Sequence, residues 1–77
     1  MAADIERLRE YAKANAISFE SLAKAAEMDL STFYRKLKTE GENFTIGEVH
    51  RMVEAALMDR DEAILIFLPE NLHLYKN

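Results

Sequence analysis

The chain contains no cysteine, so neither a disulfide nor a thiolate metal site holds it together. It fits a reducing compartment, and the cytoplasm is the expected location. It has one proline, Pro69, and only two glycines, Gly41 and Gly47, so little interrupts a helical chain. The start, Met1-Ala2-Ala3-Asp4, carries no basic stretch, and no apolar run is long enough for a secretory signal or a spanning helix. Neither a glycine-rich phosphate loop nor a nucleophile–base pair is present, so no enzyme, no cofactor and no small-molecule substrate is expected. His50 and His73 lie far apart with no third ligand candidate near them, and no metal site is expected either.

What is present is a short, apolar chain. At 77 residues it makes one domain and buries about 60% of its unfolded surface, so packing alone must stabilise it. Hydrophobic residues make up 49% of the sequence, enough for a compact helical core. The net charge is −4, but the charge is unevenly spread. Residues 29–39 hold Arg35, Lys36 and Lys38 against Asp29, whereas residues 40–70 hold eight acids against Arg51 and Arg60. One basic segment in an otherwise acidic chain marks one face for an anion.

Apolar spacing and caps predict five helices. The first, over about residues 3–14, aligns Ile5, Leu8 and Ala12. The second opens at Ser18 and sets Phe19, Leu22, Ala23 and Ala26 on one face. After a break at Glu27-Met28-Asp29, Asp29 caps a third helix whose Phe33 and Leu37 face the core. Thr39 to Asn43 form a loop around Gly41. Thr45 and Glu48 spell a capping box, Phe44 is placed to staple to Val49, and Ile46, Val49, Val53 and Leu57 follow with helical period. Asp59 and Glu62 open the fifth helix, which Pro69 ends. No internal repeat is visible.

Residues 17–38 carry the functional signal. Two short helices joined by a tight turn cross steeply only over a small contact residue, and Ala23 supplies one. Leu22, Ala26, Met28, Phe33 and Leu37 close the core between them, which leaves Ser31, Thr32, Tyr34, Arg35 and Lys38 outside. Short hydroxyls, an aromatic ring and cations are the groups that reach phosphates and base edges. Lys36 adds to the charge, and Lys24 and Ser21 on the preceding helix are placed for the flanking backbone.

The stretch Ser18 to Leu37 resembles the helix-turn-helix of lambda-repressor-like (Xre-type, Cro-like) regulators of phages and prophages. Leu22-Ala23 and Ser31-Thr32-Phe33-Tyr34-Arg35-Lys36-Leu37 carry the resemblance. It implies an all-α, five-helix DNA-binding domain over residues 1–68, with its bihelical motif at about 18–38. It further implies a sequence-specific transcriptional regulator that places its third helix in the major groove of double-stranded DNA. The DNA-binding residues expected are Ser31, Thr32, Tyr34, Arg35, Lys36, Lys38 and Lys24. The chain departs from the family at the turn, where Glu27 replaces the usual glycine, and at the start of the third helix, where Asp29 and Leu30 stand. Asp29 reads either as an N-cap or as an acceptor for cytosine. Tyr34 reads either as a lid on the core or as a phosphate contact. The alternative function is a protein-interaction module of antitoxin or antirepressor type, built on the acidic half and the apolar tail.

The last segment bears on assembly. Ala63 to Leu68 are six consecutive apolar residues, more than one helix face hides. Ile64, Phe67 and Leu68 are expected in the core, which turns Leu65 and Ile66 elsewhere. Leu72 and Leu74 alternate with Asn71 and His73 in a tail over residues 69–77. A homodimer through Leu65, Ile66, Leu72 and Leu74 is expected; the alternative is a tail that covers its own helix.

Overall fold

Five side chains define where the helices begin. Asp4, Ser18, Asp29, Thr45 and Asp59 each accept a hydrogen bond from the amide three residues on, at Arg7, Ser21, Thr32, Glu48 and Glu62. Each satisfies one of the amides that a helix start leaves unpaired. A computed structural model describes residues 2–68 and shows α1 (Ile5–Ala14), α2 (Phe19–Ala25), α3 (Leu30–Lys38), α4 (Ile46–Ala55) and α5 (Arg60–Phe67). Among the described residues there is no strand, and no helix is long and apolar enough to cross a membrane.

The helix ends follow one rule. Ala16, Glu27, Glu40 and Leu57 take left-handed conformations, with φ of 55°, 62°, 56° and 52°, just past the ends of α1 to α4. The amide of the next residue then reaches back to a helical carbonyl: Ile17 to Ala12, Met28 to Ala23, Gly41 to Lys36 and Met58 to Val53. This is the Schellman closure, which satisfies carbonyls that a helix end leaves free. In three cases the residue after the left-handed one is apolar and turns into or onto the core, and the next residue caps the following helix. The chain therefore repeats one corner at Ala16-Ile17-Ser18, Glu27-Met28-Asp29 and Leu57-Met58-Asp59. Three residues with one apolar position are too few to register as a sequence repeat.

The core takes one large side chain from each helix: Leu8, Leu22, Phe33, Met52 and Ile66 are almost fully buried. Each contributes roughly 1.5–3 kcal/mol by leaving water. α2 packs on α3 and α4, and α1 packs on α5. Phe33 meets Phe19 edge-on at 5.4 Å and Phe44 at 5.7 Å, so α3 is seated from two sides. The segment before α1 is stitched down as well. The Ala3 amide donates to the Glu40 carbonyl and the Asp4 amide to the Ile66 carbonyl, both at 2.6 Å.

Several apolar residues lie elsewhere than spacing predicts. The first helix starts at Ile5 rather than near residue 3, because Asp4 caps it and Ala3 belongs to the stitched segment. On α4 the buried positions are Met52 and Ala56, whereas Ile46 is 82% and Leu57 90% exposed. Ile46 is the first helical residue, off the core face, and Leu57 falls beyond the helix end in the left-handed corner. On α5 the expectation holds for Phe67, which is 2% exposed, but Ile66, placed outside by the sequence pattern, is 0% exposed, while Ile64 and Leu68 are only half-buried. α5 turns Ile66 toward the core beside α1, so Ile66 is not available to a dimer interface. Leu65 is half-buried, and Leu72 and Leu74 lie outside the described residues.

The left-handed corners are testable by glycine exchange. A non-glycine residue there costs roughly 1–2 kcal/mol, partly offset by the lower entropy of its unfolded chain. Leu57→Gly should therefore raise the unfolding free energy by about 0.5 kcal/mol. Gly41→Ala should lower it, because Gly41 has φ +73° and a Cβ there would sit 3.0 Å from Ala3 Cβ and 3.1 Å from the Phe44 ring. Urea melts with unchanged m-values check both, and a destabilised Leu57→Gly would refute the corner assignment.

Candidate nucleic-acid interface

The bihelical unit is built from α2, the Glu27 corner and α3. Ala23 is buried at the crossing, where a larger side chain would hold the helices apart. Glu27 stands where the resembled family has glycine, and it takes the left-handed conformation that the turn requires. Its carboxylate lies 3.9 Å from Arg51 on α4, an exposed pair. Phe33 and Leu37 point inward and fix the roll of α3.

That roll turns Ser31, Tyr34, Arg35 and Lys38 outward, at the spacing of neighbours along one helical face. Among the described residues neither Arg35 nor Lys38 has an acid within ion-pair distance. Arg35 touches only the Thr32 hydroxyl, at 3.5 Å, the limit of a hydrogen bond. Thr32 is half-buried, and its amide is spent on the Asp29 cap. The Tyr34 ring lies 6.1 Å from that of Phe19, and the residue is 46% exposed. Lys24 and Ser21 are exposed on α2, and Ser21 shares a hydrogen bond with Ser18 at 2.9 Å.

Asp29 is a cap. Its Oδ1 accepts from the Thr32 amide at 3.1 Å, and its Oδ2 accepts from the Ser31 hydroxyl at 3.1 Å. The contacts with Thr32, and then that with Ser31, hold its carboxyl below the ordinary 3.8. It stays ionised at the start of α3, where the helix dipole favours a negative charge.

Lys36 does not belong to the outer face. Its side chain is 19% exposed, and its ammonium lies 2.9 and 3.1 Å from the two carboxylate oxygens of Glu48 on α4. It also sits 5.9 Å from the centre of the Phe44 ring. The reason is position: Lys36 flanks Leu37 on the side of α3 that faces the start of α4. Glu48 in turn accepts from the Thr45 amide at 2.9 Å, completing the capping box. Burial raises the Glu48 pKa, but the Thr45 amide and the Lys36 ammonium outweigh it and hold the carboxyl below its ordinary 4.5. One carboxylate thus caps α4 and anchors α3. Sequence reasoning found the cap and missed the anchor, since nothing local signals a pair twelve residues apart. The Arg7–Glu62 pair, at 2.8 Å, was missed for the same reason and ties α1 to α5. At Asp59 the cap bond forms, but Glu62 turns to Arg7 instead of closing a box.

The anchor has a pH signature. A carboxyl whose pKa is lowered by folding contributes stability that is complete above its unfolded value and fades as pH falls through the folded value. Lys36→Met keeps the stem and removes the ammonium, so it should cost about 1 kcal/mol at neutral pH, as expected for a half-buried pair. That cost should begin to shrink as the pH drops below the ordinary 4.5 and disappear once it passes the lower value of folded Glu48. Urea melts of both proteins from pH 7 to pH 3 measure it, and a cost independent of pH would contradict the pairing.

Among the described residues no group of three His, Asp or Glu side chains is gathered to hold a metal ion. No protein-family model matches the chain, and no curated protein or solved structure matches it either.

Proposed function

We propose that the chain binds double-stranded DNA through α3 and acts as a sequence-specific transcriptional regulator of the lambda-repressor-like, phage or prophage type. The observation that carries this reading is the outward stripe of Ser31, Tyr34, Arg35 and Lys38, whose two cations have no acid partner among the described residues. An exposed cation pair on a helix braced from behind suits an anion at fixed geometry. With nine residues, α3 is about 13 Å long, comparable to the width of the major groove at about 12 Å. In this arrangement Arg35 reads a guanine edge, Ser31 adds a base or phosphate contact, and Lys38 and Tyr34 hold phosphates. Lys24 on α2 reaches the flanking backbone. The excess of acids over residues 40–70 makes that half of the chain less favourable to phosphate than the α3 face.

A single module with so few cations binds weakly, so the reading includes two copies on adjacent half-sites about 34 Å apart. Leu65 on α5 is the one expected interface residue that is described and not buried in the core.

Arg35→Ala should weaken binding to the selected site by about 1–3 kcal/mol, with little effect on random duplex. Lys38→Ala should weaken binding to every sequence alike and flatten the salt dependence by about one unit. Binding isotherms on selected and random duplexes separate the two, and sedimentation of the complex counts the copies per site. Unchanged affinity in both folded variants would remove α3 from the interface.

A further inference from the structure

The apolar surface that folding leaves over lies between α4 and α5. Ile46, Val49, Ile64, Phe67 and Leu68 wall a groove of about 310 Å³, and Arg60 is the one charged residue lining it among those described. Its α5 wall is a single stripe at helical spacing, on a different face from Ile66, which α5 gives to the core. Apolar side chains that fill such a groove leave water and bring stability in proportion to the area they bury.

We infer that residues 69–77 of the same chain occupy this groove, with Leu72 and Leu74 as the anchoring side chains. Connectivity argues first, because Leu68 is itself a wall of the groove and the tail continues directly from it. Reach argues next. The eight residues of α5 span about 12 Å, and four extended residues from Leu68 to Leu72 span about 13 Å, so after the reversal the first anchor still reaches the Leu68 and Ile64 end of the groove. Pattern agrees with both: Leu72 and Leu74 alternate with Asn71 and His73, so an extended tail presents both leucines on one face and polar groups on the other. The charges of the tail, Glu70 and Lys76, stand outside this uncharged centre, which suits walls that are apolar apart from Arg60.

The competing occupant is a second copy. A short tether holds the tail near the groove at an effective concentration of about millimolar, whereas a second copy arrives at its bulk concentration. At micromolar protein the tethered tail is favoured about a thousandfold for equal contacts. This assignment does not depend on DNA binding. It takes Leu72 and Leu74 out of the dimer expected from sequence and leaves Leu65 for any contact between copies.

Methyl-resolved nuclear Overhauser spectroscopy on the full chain tests it. The Leu72 and Leu74 methyls should show cross-peaks to Ile46, Val49 and Ile64. In a sample mixing labelled and unlabelled chains, an isotope-filtered spectrum that detects only contacts between chains should lack them. Cross-peaks present in the filtered spectrum would overturn the proposal in favour of a second copy. Random-coil shifts for both tail leucines, without cross-peaks, would overturn it in favour of an open groove. The double variant Leu72→Asp, Leu74→Asp keeps every described core residue and should shift the Ile46 and Ile64 methyl resonances. Resonances identical to wild type would also overturn it.

Discussion

Helices of seven to ten residues do not persist alone in water, because so few hydrogen bonds do not offset the cost of nucleation. The structure therefore depends on how those helices are closed. Every start has a side-chain cap, and the ends of α1 to α4 close through a left-handed residue. The two devices are fused at three corners, where one apolar residue between them anchors the turn to the core. With only two glycines available, alanine, glutamate and leucine bear most of the left-handed strain. Burial of one large residue per helix opposes that strain and holds the corners in place.

The same economy governs α3. Phe33 and Leu37 decide which way it faces, and Lys36 and Glu48 lock its flank to the start of α4. A cation one position from the outward stripe is thus removed from it, while Arg35 and Lys38 have no acid partner among the described residues. Because Glu48 also caps α4, a change there acts on two helices together. The seating of α3 and the register of α4 are coupled through a single carboxylate.

Local chemistry was readable in the sequence. The Ser18, Asp29, Thr45 and Asp59 caps, the Glu27 turn and the inward Phe33 and Leu37 all follow from residue type and short-range spacing. What depended on helix crossings was not. Six consecutive apolar residues from Ala63 to Leu68 give no phase, so the buried member of the pair Leu65 and Ile66 was set by the α1 contact and not by the pattern. Lys36 read as part of a cationic cluster because its partner lies twelve residues away. Ile46 and Leu57 matched the helical period, yet lie at the first turn and past the end of α4, where periodicity no longer reports burial.

The central claim is that α3 engages duplex DNA through a small set of cations, and the salt dependence of wild-type affinity tests it most directly. Counterion release makes log K fall linearly with log salt, by about 0.9 for each phosphate neutralised. With Lys38 and Lys24 as the cations that hold phosphates, the slope should lie at about −2 for each bound copy. A slope near zero, or no detectable binding at about 50 mM salt, would contradict the account.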